Sequence, residues 1–209
     1  MENIKAGSGI FVQVGAGCGD LDVRAFCRDG FTEFVKGLPR ERVKKIILVE
    51  PNPVNIPLLR ECWKDYPEAI IYQYGIVPSN LNQGNMDLYY CPLDAPHYQV
   101  ASVNLEHVTK HYGNDCQIEK HVIPTTTINA LLGSMDIELL SLDIEGIDAD
   151  VLLDIDFTEL KVKYLSFEYV HLGDKESDVM VHLTRNKYFH IGSGADHRDF
   201  DYLFEKVYT

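Results

Sequence analysis

Positive charge is scarce in this chain. Its 209 residues carry 19 Lys and Arg against 32 Asp and Glu, for a formal net charge of −13. A surface that tracks nucleic-acid phosphates needs clustered basic residues, so no nucleic-acid partner is expected. The acidity suits a small cationic or neutral ligand, and it also serves plain solubility. Long apolar runs are missing too: no stretch approaches the ~20 residues of a membrane span, so no membrane association is expected. Met1 to Gly9 include Glu2 and Lys5 and no apolar core, so no signal peptide is read there. The five cysteines (Cys18, Cys27, Cys62, Cys91 and Cys116) are odd in number, dispersed and free of C-x-x-C spacing. That pattern speaks against a zinc site or a disulfide framework, and for a reducing, cytoplasmic setting. Internal repeats and low-complexity tracts are also absent. A single domain over residues 1–209 follows, either on its own or as a module of a longer polypeptide.

Against this background one stretch stands out, Phe11-Val12-Gln13-Val14-Gly15-Ala16-Gly17-Cys18-Gly19-Asp20. A short apolar run of this kind reads as a buried parallel strand. Glycines at alternate positions after it let the backbone turn sharply and let a ligand come close. The spacing is G-x-G-x-G, and Asp20 stands where a dinucleotide fingerprint would need its third glycine. A second apolar run, Ile46 to Val49, ends in Glu50, a carboxylate placed to accept hydrogen bonds from both hydroxyls of a ribose. Strand, glycines, helix, strand and acid in that order point to an adenosine-bearing cofactor. Without the phosphate-favouring glycine pattern, S-adenosylmethionine suits the site better than NAD. Gly15, Ala16, Gly17, Gly19, Asp20, Glu50, Pro51 and Asn52 are the cofactor candidates, with Asp143 beside them. Ile76 and Val77 are candidates for flanking an adenine, with ordinary core packing weighed evenly against that role.

Further along, Leu21 to Lys36 has helical spacing with a break or kink expected at Gly30. Asn55 to Tyr66 reads as a helix, Ala69 to Gly75 as a third strand, and Met86 to Cys91 as an extra strand. Residues 78–121 are taken as a substrate-side insertion, because functional variation sits on loops over a rigid sheet. They include His97, Tyr98, His107, His111 and Tyr112. His107 and His111 are four apart and could share a helix face, but with no companion motif they are taken as ordinary surface histidines. Val122 to Pro124 reads as a short edge strand, and the threonines 125–127 as a cap for a short helix. Leu139 to Ile144 makes a fourth strand with Asp143 and Glu145 close to its end, and Tyr164 to Glu168 a fifth. Carboxylates are costly near a buried strand end unless they bind something. Glu50, Asp143 and Glu168 recur at three strand tips, on the edge where open α/β sheets hold ligands. Tyr188 to Ile191 and Tyr202 to Val207 close the chain as a hairpin.

Taken together, VQVGAGCGD (12–20), LVEPNP (48–53), IPTTTINALL (123–132), LLSLDIEGIDADVL (139–152) and LSFEYV (165–170) resemble the FkbM-type S-adenosylmethionine-dependent methyltransferases. The D-I-E-G run after a threonine-rich approach is the specific part. The resemblance implies a Rossmann-like class I α/β fold: a seven-stranded, mostly parallel sheet with a reversed last strand and helices on both faces. It also implies O-methylation of a hydroxyl on a sugar, glycan or secondary metabolite, with association with or fusion to glycan-building enzymes as a further expectation. Gln13 stands where the family often has an acid, which puts one contact to the cofactor's amino group in doubt. Asn129 stands where aspartate is usual, and is read as a lost helix cap.

For the chemistry, Asp143 is the first choice of base, because it sits at the strand tip nearest the cofactor crevice. Glu145, Glu168 and His171 are candidates to orient the acceptor, share the proton or hold a divalent ion. Mg²⁺ would suit such oxygen ligands, with Asp143 and Glu168 as its holders, although a metal-free site is preferred. Glu145 has a plainer reading as a cap of the following helix. Two other classes stay in view: an NAD-dependent oxidoreductase and an inactive binding module.

Overall fold

The structure is a computed structural model that describes residues 4–21, 29–95, 100–113, 116–195 and 200–208. Its centre is a seven-stranded sheet in the order β3-β2-β1-β7-β8-β10-β9. The strands are β1 (Ile10–Val14), β2 (Lys45–Val49), β3 (Ala69–Tyr72), β7 (Asp136–Leu142), β8 (Lys161–Glu168), β9 (Tyr188–Ser193) and β10 (Asp201–Lys206). Neighbours from β3 to β8 run parallel, and β10 runs antiparallel to β8 and β9. The expected reversed strand and closing hairpin are therefore present.

Alternation along the strands sends side chains to two separate cores. On β1, Phe11 packs with Phe31, Val35, Leu59 and Trp63, while Val12 and Val14 pack with Leu132, Val151, Leu152 and Leu183. The first group places α1 (Gly30–Lys36) and α2 (Ile56–Cys62) on one face. The second places α4 (Ile128–Leu132), α5 (Asp148–Asp154) and α6 (Glu176–Arg185) on the other. Burial on both faces explains why β1, β2 and β7 read as continuous apolar runs rather than alternating ones.

Several expectations shift in detail. Gly30 does not kink a long helix: it opens α1, with Asp29 as the N-cap accepting the Thr32 N–H at 2.9 Å. The part of that expected helix over residues 22–28 lies outside the described residues. Gly75 leaves the third strand, because Gly75–Ile76 (β4) pairs instead with β6 (Glu119–Thr126). β6 is longer than the expected edge strand, and it is central, flanked by β4 and by β5 (Asn85–Tyr90) in a second, three-stranded sheet. Thr125 and Thr126 belong to that strand, and Thr127 alone caps α4 by accepting the Ala130 N–H at 3.1 Å. Asn129 is no failed cap. It exchanges two hydrogen bonds with the Asp156 backbone, at 2.9 and 3.0 Å, and so ties α4 to the turn after α5.

The expectation of unpaired thiols is corrected as well. Cys91, at the end of β5, and Cys116, ahead of β6, are joined in a disulfide that closes a segment of 25 residues. This removes the thiol pattern as an argument for a reducing compartment. The two cysteines are far apart in sequence, and only the antiparallel pairing of β5 with β6 brings them together. Loss of a cross-link over a loop of this size costs about 2–4 kcal/mol. Urea unfolding of Cys91→Ser is expected to show a loss in that range, and reduction of the unmutated chain should reproduce it. Among the described residues no helix is long and apolar enough to cross a membrane.

Candidate active site

The tips of β1, β2, β7 and β8 open onto one cavity of about 690 Å³. The glycine loop forms one wall. Gly15 has φ +80°, and a Cβ there would collide with the Asp143 carbonyl, so only glycine lets β1 turn this close to β7. The Gly17 N–H then donates to Glu50 Oε2 at 2.7 Å. Glu50 Oε1 accepts from the Asn52 N–H at 2.8 Å and from Asn55 Nδ2 at 3.4 Å. Glu50 is only 5% exposed, and burial raises its pKa to about 7 against the pull of these donors. A carboxylate offers about four acceptor positions, so room remains for a hydroxyl donor from the cavity.

The expected cofactor residues mostly meet here. Gly15, Ala16, Gly17, Gly19, Asp20, Glu50, Pro51, Ile76 and Asp143 all line the cavity. Asn52 and Val77 do not. Asn52 is fully buried and braces Glu50 from behind, and Val77 packs into the core. One residue set beside the glycine loop, Asp29, brings the acid that Gln13 lacks. Gln13 Nε2 donates to Asp29 Oδ1 at 2.9 Å, so a carboxylate reaches the β1 tip from the cap of α1. Asp29 signals itself in sequence only as a polar residue before Gly-Phe-Thr, a cap signature hidden by the expectation of a longer helix.

Unsatisfied buried acceptors mark the same wall. Among the described residues, Gln13 Oε1, Asp20 Oδ1 and Asn55 Oδ1 are buried without a hydrogen-bond partner, and all three residues line the cavity. Buried polar atoms normally find partners, so acceptors left open beside a cavity suit a ligand rich in donors. S-adenosylmethionine has such donors in its ammonium and ribose hydroxyls, and the residues present fit it. Gln13, Asp20 and Asp29 would face the amino-acid end, and Glu50 with Asn55 the ribose.

The tips of β7 and β8, next along the sheet from β1, carry the other acids. Asp143 follows β7 and lines the cavity. Its carboxylate takes no hydrogen bond among the described residues. Protein crowds the cavity around it, and Glu145, Glu168, Asp148 and Asp201 stand near; this confinement and then their charges push its pKa well above the usual carboxylate range. Asp148 is buried and holds the turn itself, accepting the Ile144 N–H at 2.9 Å and the Gly146 N–H at 3.3 Å. Its own pKa rises to about 6 through burial. Glu145 does not cap α5. It sits at φ +54°, and its Oε2 lies 2.9 Å from His107 Nε2. Glu168 Oε2 lies 2.7 Å from His171 Nδ1, and the carboxylate raises that imidazole's pKa to about 8.

His107 is therefore not an ordinary surface histidine. It lies on α3 (Leu105–Tyr112), which Asn104 caps by accepting the Glu106 and His107 N–H groups. Ser102 Oγ donates to the Glu145 carbonyl at 2.6 Å, clamping the segment before α3 onto the D-I-E-G turn. Gly146 is needed there, since a Cβ would come within 2.6 Å of His107 Nδ1. His111 and Tyr112 from the same helix line the cavity, while His97 and Tyr98 lie outside the described residues. The helical spacing of His107 and His111 was a real signal; what sequence could not show was the turn that α3 faces.

The family model for the "Methyltransferase FkbM domain" matches residues 13–204. Among solved structures, a methyltransferase FkbM from Methylobacillus flagellatus KT aligns at a TM-score of 0.50 and 15% identity, over 95% of this chain and 43% of that one. The chain thus spans less than half of that protein. A fibrillarin pre-rRNA processing protein from Methanococcus jannaschii aligns at 0.46 and 9% identity, over 97% of this chain and 68% of that one. An Aeropyrum pernix fibrillarin, solved with natively bound S-adenosyl-L-methionine, aligns at 0.44 and 11% identity, over 97% of this chain and 66% of that one. No curated protein matches the sequence. With the match running over almost all of the sheet and every strand tip described above, the chain belongs to the FkbM family of S-adenosylmethionine-dependent methyltransferases.

Proposed function

We propose that this chain transfers a methyl group to a hydroxyl oxygen of a sugar, glycan or related small molecule. The observation that carries the reading is Asp143, a carboxylate open to the cavity, without a hydrogen-bond partner among the described residues, and held above the usual carboxylate range. When bound, S-adenosylmethionine supplies an electrophilic methyl on a sulfonium sulfur. The chain's own residues then have two tasks. They must hold the acceptor oxygen in line and in contact with that carbon, because orientation accounts for much of such a rate enhancement. They must also take the proton of a weakly acidic hydroxyl. A base works best when its pKa lies near the working pH, and the surroundings of Asp143 move it in that direction.

The other candidates divide the remaining work. Glu168 and His171 form an ion pair at the next strand tip, placed to orient an acceptor hydroxyl rather than to strip it. With its pKa at about 8, His171 in the metal-free chain is mostly protonated at neutral pH and acts as a donor. Tyr74, Tyr112 and Phe200 line the cavity and offer apolar faces against which a sugar ring can pack. Residues 78–121, tied to the site through Ser102 and His107, serve as the acceptor-side segment. Fusion to or association with glycan-building enzymes belongs to the same reading.

Transfer of labelled methyl groups from S-adenosylmethionine to a panel of mono- and oligosaccharides tests it directly. Label in an alkali-stable ether linkage on at least one sugar supports the reading. Cofactor binding with label appearing only on amines or carboxylates would overturn it.

A further inference from the structure

The cavity wall is unusually one-sided in charge. It carries eight carboxylate residues and no Lys or Arg among the described residues. A sulfonium and an ammonium, set against the cofactor's own carboxylate, leave most of that negative charge unbalanced. At the acceptor end, two imidazoles and one of these carboxylates converge. His107, Glu145 and His171 each offer a ligand atom, and these atoms all lie within 4.8 Å of one another. The imidazole rings meet edge to face with centroids 4.8 Å apart. We propose that His107, Glu145 and His171 form a binding site for a first-row transition-metal dication such as Zn²⁺, Mn²⁺, Fe²⁺ or Co²⁺.

The donor set favours this class. Imidazole nitrogen suits these metals, whereas Mg²⁺ and Ca²⁺ prefer all-oxygen sites. Three protein ligands with further positions open to a cavity are the pattern of a metal that engages substrate rather than of a purely structural one. Ligands bound at about 2.1 Å sit roughly 3–3.5 Å from one another, so the widest pair must draw in by about 1–1.5 Å, which side-chain rotation can supply. His107 and Glu145 are already in contact at 2.9 Å, and the chain supports that contact from behind. Asn104 caps the helix that carries His107, and Ser102 grips the Glu145 carbonyl. Glu145 and His171 line the cavity, so the open positions face the acceptor. The site stands on these contacts, while its use toward an acceptor oxygen rests on the function proposed above. It also differs from an Asp143–Glu168 magnesium site, because two of its three ligands are nitrogen.

Titration of the chelator-treated chain with Co²⁺ and with Mn²⁺, without cofactor or acceptor, tests the site apart from activity. The expected result is one ion per chain, with a cobalt visible spectrum indicating nitrogen ligands. Loss of an outer-shell partner lowers metal affinity about 10- to 100-fold, so His107→Ala and His171→Ala should each lose more than that. Glu145→Gln keeps a neutral carbonyl oxygen as a ligand and should weaken binding less; circular dichroism melts of all three separate loss of metal from loss of fold. No saturable binding by the unmutated chain would overturn the proposal. So would unchanged affinity in both histidine variants, or equal competition by Mg²⁺. Metal binding of the expected kind with no methyl transfer to any acceptor would sustain the site and count against the function alone.

Discussion

Replacing Asp143 by asparagine is expected to lower turnover by about 10²- to 10⁴-fold, the usual contribution of a positioned base. Affinity for S-adenosylhomocysteine should stay near that of the unmutated chain, because the cofactor candidates Glu50, Asp20 and Gln13 belong to β1, the end of β2 and the glycine loop and not to the turn after β7. The pH profile separates a base from a mere positioning group. Only the ionised carboxylate accepts a proton, so activity should rise with pH through an ionisation above the ordinary carboxylate range and flatten once Asp143 is fully charged. Asp143→Asn should abolish that rise rather than displace it. Stability should move the opposite way. An acid with a raised folded-state pKa favours the fold while protonated, and loses that contribution as pH climbs from the unfolded pKa through the folded one. At neutral pH the asparagine variant, which never ionises, should therefore melt higher than the unmutated chain. A variant that is slower yet more stable is the signature of a residue kept for chemistry. Full activity in Asp143→Asn would remove the base assignment.

Glu50→Ala is expected to weaken S-adenosylhomocysteine binding about 100- to 1,000-fold, the equivalent of losing one or two hydrogen bonds to a charged acceptor. Isothermal titration at fixed ionic strength measures it. Glutamine should be little better than alanine. Its amide nitrogen would confront the N–H of either Gly17 or Asn52, donor against donor, at a distance where Glu50 now accepts. The pH dependence has a defined sign. Glu50 is held at about 7 in the free protein, and a ribose donates to its carboxylate form. Affinity should therefore strengthen as pH rises from 6 to 8, with proton release on binding in the lower part of the range, and Glu50→Ala should show neither. Wild-type affinity in Glu50→Ala would remove the ribose clamp.

What sequence could and could not show follows from how local each feature is. β1, β2, β7 and β8 announce themselves because strands buried on both faces need unbroken apolar runs, and the acids at their ends then stand out. Their meeting at one cavity follows from parallel topology, which places all those tips on one edge of the sheet. Non-local features were hidden. The position of β6 depends on pairing with β4 and β5, and the Cys91–Cys116 bond on that same pairing. Asn129 looked like a defective cap because its partner, the Asp156 backbone, lies in a different loop. Asp29 went unread, and His107 was taken for a surface histidine, for a related reason. Each sits on a short helix whose facing surface, the β1 tip or the D-I-E-G turn, is set by the sheet and not by neighbours in the chain.

The acid-lined cavity also bears on the end of the reaction cycle. With Asp143 as the base proposed above, transfer would leave the acceptor's proton on its carboxylate. Once that proton passed to bulk water, the wall would regain the charge it had before transfer, around a spent cofactor whose sulfur is neutral. With the sulfonium charge gone, the part of the attraction that drew the donor in would no longer hold the product, so the acidic wall would favour the charged donor over the spent thioether. The same wall that recruits the donor thus helps clear the chamber for the next round.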